Sequence, residues 1–265
     1  NESAFLGCQR GKRSLAVDLS HPGARAVIGR LVSNADIVHH NLRLPSARRF
    51  GLDYPDLKAI KPDLVFGHVS AYGPEGDRRY WPGYDQMFQS SAGWELANAG
   101  EGNRPVWLRF GMMDHMCAMS LAYGMLLALI RRDRTGEGSQ VAASLLGASM
   151  LTMSDLAMRP DGTLTADPEV LDHDQLGVSP GRRLALCTDG WIAMTGRDDA
   201  APTADELASL NCDKAIDLLR ARGFAAVPVD ERGGRAFLFD KANIDRGLVA
   251  RYRHPVYGEL RHPGA

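Results

Sequence analysis

From Met116 to Ile130 the chain is an almost unbroken apolar run, closed by Arg131-Arg132-Asp133-Arg134 and then by Gly136 and Gly138. That length and that ending predict one buried helix, opened by Asp114 and stopped at the Thr135-Gly136 turn. Upstream, two polarity periods alternate. Apolar positions Ala26, Val27, Leu31 and Val32 recur at helical spacing behind Ser20-His21-Pro22-Gly23, predicting a helix capped by Ser20 with Pro22 in its first turn. Asn34-Ala35-Asp36 ends it, and Ile37–His40 reads as strand. A second round gives a short helix from Asp53 to Ile60, a break at Lys61-Pro62-Asp63, and a buried strand from Leu64 to Val69. One further short strand is expected between Gly11-Lys12-Arg13 and Asp18.

Strands alternating with helices imply a parallel sheet, and ligands of such sheets gather beyond the carboxyl ends of the strands, here near Asn41 and Ser70. Downstream, Tyr80–Gly93 reads as a glycine-marked loop leading into a short helix, and Asn98–Arg104 as an exposed segment. Gln140–Met150, rich in small residues, suits close packing against the core. Between Asp155 and Arg183 no period is sustained, which marks a linker or long loop. A second unit follows. Leu184–Cys187 and Trp191–Met194 form a hairpin around Asp189-Gly190, Thr203-Ala204-Asp205-Glu206 has capping-box spacing, Ala215–Arg222 is helical, and Ala225–Val229 is a strand whose Pro228 points to an edge.

Composition narrows the function class. A net charge of −1 over 265 residues argues against a general nucleic-acid binder, so an anionic ligand must be held by local basic groups. Arg43, Arg48 and Arg49 follow a strand directly; they suit charge-assisted bonds to phosphate, or else form a solvated basic turn. His39 and His40 are strand neighbours on opposite faces and so do not jointly bind a metal. Cys8, Cys117, Cys187 and Cys212 are too scattered for a disulfide framework or a zinc site, which favours a reducing cytoplasm. The apolar run is short for a bilayer span, so no membrane segment is expected. The chain opens at Asn1 straight into this pattern, which reads as part of a longer polypeptide. At the head of the long helix, Asp114 is expected to stay ionised in the field of the helix N-terminus, either as a cap or as a nucleophile.

Five motifs in one order give a sharper reading: Gly11-Lys12-Arg13 through Asp18, Ala35-Asp36-Ile37-Val38 with Asn41, Gly51-Leu52-Asp53-Tyr54, Pro82-Gly83-Tyr84-Asp85, and Thr135-Gly136-Glu137-Gly138. With Asp189-Gly190-Trp191, Val227-Pro228-Val229 and His254-Pro255 before Gly258, they make the chain resemble the class III CoA-transferases, the CaiB/BaiF family, over nearly its whole length. The resemblance implies an α/β fold: a large Rossmann-like parallel-sheet domain over 1–172, lacking the family's N-terminal segment, and a smaller α+β domain over 173–265, in an interlocked homodimer. It implies that CoA passes between an acyl-CoA and a carboxylic acid through an aspartyl-CoA thioester on Asp114. By motif, Val17, Asp18, Ser20, Asn41, Leu42, Arg43, Arg49, Gly83 and Tyr84 would line the CoA site. Ser20 stands where a Lys is common. No metal and no permanently bound cofactor are implied, only coenzyme A thioester as substrate.

Two alternatives accompany that reading. The related acyl-CoA racemases carry a His where this chain has Tyr84, and a phenol with an ordinary pKa near 10 is a poor base at neutral pH. A non-catalytic scaffold half of a fused or paired transferase would have been free to lose Asp114.

Overall fold

The computed structural model describes residues 2–153, 156–165 and 167–264; Asp155, where the sequence starts its linker, lies outside the described residues. In chain order the elements are α1 (Glu2–Gln9), α2 (Ala24–Ser33), β1 (Ile37–His40), α3 (Leu44–Phe50), α4 (Tyr54–Ile60), β2 (Val65–Ser70), α5 (Asp85–Ser91), α6 (Trp94–Ala97), α7 (Met112–Thr135), β3 (Ser139–Ser144) and α8 (Leu145–Leu151). After them come β4 (Gly177–Ser179), β5 (Arg182–Cys187), β6 (Gly190–Thr195), α9 (Ala204–Ala208), α10 (Cys212–Ala221), β7 (Ala225–Pro228), α11 (Arg235–Phe239), α12 (Lys241–Asp245), β8 (Val249–His254) and β9 (Gly258–Pro263). They form two compact units, one of Val17–Gln175 and one joining Asn1–Ala16 to Leu176–Ala265.

In the first unit β1, β2 and β3 make a parallel sheet in that order, with Ile37 opposite Val65 and Val65 opposite Ser139. The central strand is buried on both faces because its residues alternate between two layers. Val65 packs with Leu121, Met125 and Ala128 of α7, whereas Phe66 packs with Val32, Leu57 and Leu64 on the side of α2 and α4. Each such side chain stabilises by roughly 1.5–3 kcal/mol on leaving water. Gly67 lets α7 lie close on β2: a Cβ there would sit 2.5 Å from Met125 Sδ and 3.1 Å from His39 Cβ. Helix α7 ends where Gly136, at φ 74°, returns its N–H to the Arg132 carbonyl at 2.7 Å.

Some sequence expectations fail here, each for a local reason. No strand forms between Gly11 and Asp18. Ser20 does not cap α2; its own N–H bonds to Asp18 Oδ1 at 2.9 Å, and the helix starts after Gly23 without a side-chain cap. The Arg43–Gly51 stretch is a helix, α3, with Pro45 in its first turn and Gly51 as left-handed C-cap, signals that the arginines obscured. Helix α7 is the one helix among the described residues long and apolar enough to cross a membrane, by length and composition alone.

In the second unit β4, β5, β6 and β7 form an antiparallel sheet in that order, and β8 pairs with β9. Thr203 Oγ1 accepts the Glu206 N–H at 3.2 Å and starts α9, while the Glu206 carboxylate pairs with Arg222 instead of closing the capping box. The edge strand β7 holds Pro228, opposite Ile192. Ile192, Leu207, Leu219 and Phe224 build this unit's core.

Candidate active site

At the carboxyl ends of β1 and β2 the first unit opens into a cavity of about 940 Å³. One wall is a single stripe of α7, Asp114, Cys117, Ala118, Leu121, Ala122 and Met125, spaced so that all fall on one helix face. The opposite wall is the turn after β1, Asn41-Leu42-Arg43, and the loop Arg79-Tyr80-Trp81-Pro82-Gly83-Tyr84.

Asp114 lies in the first turn of α7, inside the helix, and is exposed on the cavity. It does not cap. Among the described residues no hydrogen-bond donor reaches its carboxylate oxygens, while its own N–H is taken by Asp85 Oδ2 at 2.8 Å. Asp85 comes from the start of α5, is buried at 4% exposure, and also accepts from Gln89 Nε2, which donates to the Phe110 carbonyl at 2.9 Å. Hence the helix terminus is held by a carboxylate from another element. Both carboxylates flank Gly111: a Cβ there would stand 3.5 Å from Asp85 Oδ2 and 3.6 Å from Asp114 Oδ2.

This arrangement reverses the electrostatics expected of a helix head. Desolvation, then the Asp85 charge, push the Asp114 carboxyl above its ordinary value, with His115 opposing. A more basic carboxylate without hydrogen-bond partners is the better nucleophile. Cys117, one turn along, is no rival: burial first and the Asp114 charge second raise its thiol to about 11, so it stays protonated at neutral pH. His115 is held aside, its Nδ1 donating to the Gly111 carbonyl at 2.6 Å and its ring stacked on Phe110.

Of the residues singled out from the sequence, the structure gathers Asn41, Leu42, Arg43, Gly83, Tyr84 and Asp114 around one cavity. Val17, Asp18, Ser20 and Arg49 lie outside that lining; Arg49 stacks on Phe50 with its guanidinium carbon 4.5 Å from the ring centroid. The basic rim has a different membership from the one expected. Arg43 donates to the Tyr80 carbonyl at 3.0 Å, and Arg79, absent from the sequence reading, lines the cavity and stacks on the Tyr80 ring. Arg79 first, then Arg48, lower the Tyr80 phenol below its ordinary value. Asp85 stood in the Pro82-Gly83-Tyr84-Asp85 motif without an assigned role, and Gln89 was not singled out.

Comparison with known proteins gives the family. The chain is 30% identical over 154 residues to an acyl-CoA transferase of Fusarium pseudograminearum, covering 58% of this chain and 34% of that protein. It is 28% identical over 194 residues to the succinate–glutarate CoA-transferase of Agrobacterium fabrum, covering 70% and 48% respectively. The chain thus spans a third to a half of these relatives' length. In fold it matches the crystal structure of a CaiB/BaiF family protein from Brucella suis, with a TM-score of 0.79 at 21% identity over 99% of this chain and 80% of that one. Residues 1–204 match the pattern of CoA-transferase family III, and the chain belongs to that family.

Proposed function

We propose that the protein moves CoA between an acyl-CoA thioester and a carboxylic acid, with Asp114 as the nucleophile. One observation carries the reading: a carboxylate that no hydrogen-bond donor among the described residues reaches, raised above its ordinary pKa, facing a cavity of about 940 Å³. An Asp114 oxygen attacks the thioester carbonyl, releasing CoA thiolate and leaving a mixed anhydride. The thiolate attacks the Asp114 carbonyl, freeing the donor acid and forming an aspartyl-CoA thioester. The acceptor carboxylate attacks that thioester, and the thiolate then attacks the acceptor's acyl carbon, returning Asp114. No proton is gained or lost over the cycle, so the site needs no dedicated base.

Asn41, Leu42, Arg43, Gly83 and Tyr84 face the cavity and are the CoA contacts we favour, with Arg43 and Arg79 toward phosphate. Val17, Asp18, Ser20 and Arg49 would join them through the rest of the site. The relative named for succinate and glutarate supports small carboxylic acids as acceptors. A homodimer is supported by the apolar side chains that α7 leaves exposed, Met119, Tyr123, Leu126, Leu127 and Ile130. The four unpaired cysteines suit a reducing cytoplasm.

The test is intact mass spectrometry of the full-length protein incubated with a panel of acyl-CoAs. A CoA adduct on the peptide containing Asp114, lost in Asp114→Ala while CoA binding persists, is the expected result. Normal turnover by Asp114→Ala would sink the assignment.

A further inference from the structure

Two histidines that line the cavity, His40 and His68, do work that the nucleophile does not account for. His40 ends β1 and His68 stands opposite it on β2, their rings edge to face with centroids 5.2 Å apart. Leu42, in the turn that follows, is held between them. Its N–H donates to His40 Nδ1 at 3.2 Å, and its carbonyl meets His68 Nε2 at 2.9 Å. His40 Nε2 meets the Leu52 carbonyl at 2.8 Å. A carbonyl only accepts, so both Nε2 atoms carry a proton, and His40 Nδ1 offers its lone pair to Leu42.

We propose that His40 and His68 are positioning residues that clamp the Leu42 peptide from both sides, so that the Asn41–Arg43 segment binds CoA firmly only while His40 is neutral. This rests on the CoA reading of the cavity given above. A proton on His40 Nδ1 would set a donor against the Leu42 N–H, and the clamp would lose one jaw. The turn it holds delivers Asn41 and Arg43 to the cavity, and Arg43 is also the residue from which α3 starts. The other titratable groups within electrostatic reach of His40 are His68 from β2, its chain neighbour His39, and Asp53 at the start of α4. Burial keeps the His40 imidazole below its ordinary 6.5; the Leu52 carbonyl and Asp53 oppose this, and His68 and His39 reinforce it. The clamp therefore holds at neutral pH and opens on acidification below 6.5.

The discriminating variant is His40→Asn, whose Oδ1 keeps the acceptor for Leu42 but does not titrate. CoA affinity of the full-length protein is measured by calorimetry between about pH 7.5 and pH 5. Wild type should weaken as pH falls, more steeply than His40→Asn; ionisation of the CoA phosphate is common to both and cancels. His40→Leu should bind about 5- to 10-fold more weakly than His40→Asn at neutral pH, the worth of the Leu42 hydrogen bond, since the bond to the Leu52 carbonyl is lost in both, with KM raised and kcat unchanged at saturation. His68→Gln, which keeps a donor for the Leu42 carbonyl, should retain affinity that His68→Leu loses. Independently of any ligand, the exchange protection of the Leu42 amide in the free protein should fall on acidification in wild type and not in His40→Asn. If His40→Asn follows the wild-type pH curve in binding or exchange, or if His40→Leu binds as tightly as His40→Asn, the clamp is refuted. If wild type binds no CoA yet the exchange result holds, the CoA reading fails and the clamp stands.

Discussion

Replacing Asp85 by Asn tests whether the site is built as described, because it keeps shape and removes charge. In the wild type one carboxylate oxygen takes the Asp114 N–H and the other takes Gln89 Nε2. Asn offers one carbonyl oxygen for two donors, so its amide nitrogen must face either the Asp114 N–H or Gln89. A lost hydrogen bond to a charged group is worth about 1.5–3 kcal/mol, and a partly buried anion at a helix N-terminus up to about 2 kcal/mol more. Relief of the repulsion between Asp85 and Asp114 offsets part of this, so we expect a net loss of about 2–4 kcal/mol. Urea unfolding at neutral pH should show it as a lower midpoint at unchanged slope. Asp85→Asn should also bring the Asp114 carboxyl down toward its ordinary value, read by carbon NMR titration, since the Asp85 charge is the second cause of its elevation. In an Asp114→Asn background the repulsion is already gone, so the same replacement should cost more than it does alone. A variant as stable as wild type, or an unmoved Asp114 titration, would refute the anchoring role.

Two further outcomes are expected. Asp114→Asn should stabilise the protein at neutral pH by under about 1 kcal/mol, because solvent at the cavity mouth screens the pair. Asp114's folded pKa lies above 3.8, so its ionised form costs stability above the folded pKa and nothing below 3.8; the gain should therefore vanish as pH falls through that window, measured by urea unfolding. Gly83→Ala should cost about 1–3 kcal/mol in thermal unfolding. Its new Cβ would meet Phe88 Cε2 at 2.6 Å and Ala71 Cβ at 2.7 Å, neither of which is the end of a flexible chain.

The sheet-building half of the fold was legible because its signals are local. Ile37–His40 and Leu64–Val69 are apolar runs of strand length between breakers, and β1 and β2 follow them closely. Helix α3 was not, since Arg43, Arg48 and Arg49 drew attention to charge where Pro45 and Gly51 mark a helix start and stop. Ser20 was misread because its cap signal is local while the chain spends that N–H on Asp18. The cavity's location beyond β1 and β2 followed from topology alone, but Arg79 and Trp81 reach it from a loop whose path no periodicity encodes.

The pattern at the head of α7 left two roles for Asp114, cap or nucleophile, and treated them as exclusive. In the structure the capping contact belongs to a second carboxylate, Asp85, and Asp114 faces the cavity where we propose that it acts. Gly111, at the N-cap position, has no side chain to offer, and the first turn of α7 is held by Asp85 reaching across 29 positions in sequence. Because another element satisfies that N–H, the Asp114 side chain need not fold back on its own backbone and is left to the cavity. Burial first, and then the charge of the same Asp85 that anchors the helix, raise the Asp114 pKa, so one side chain both anchors the turn and adds to the basicity that the proposed nucleophile would use. A contact of that span leaves no trace in local periodicity, which is why the local pattern left both roles open.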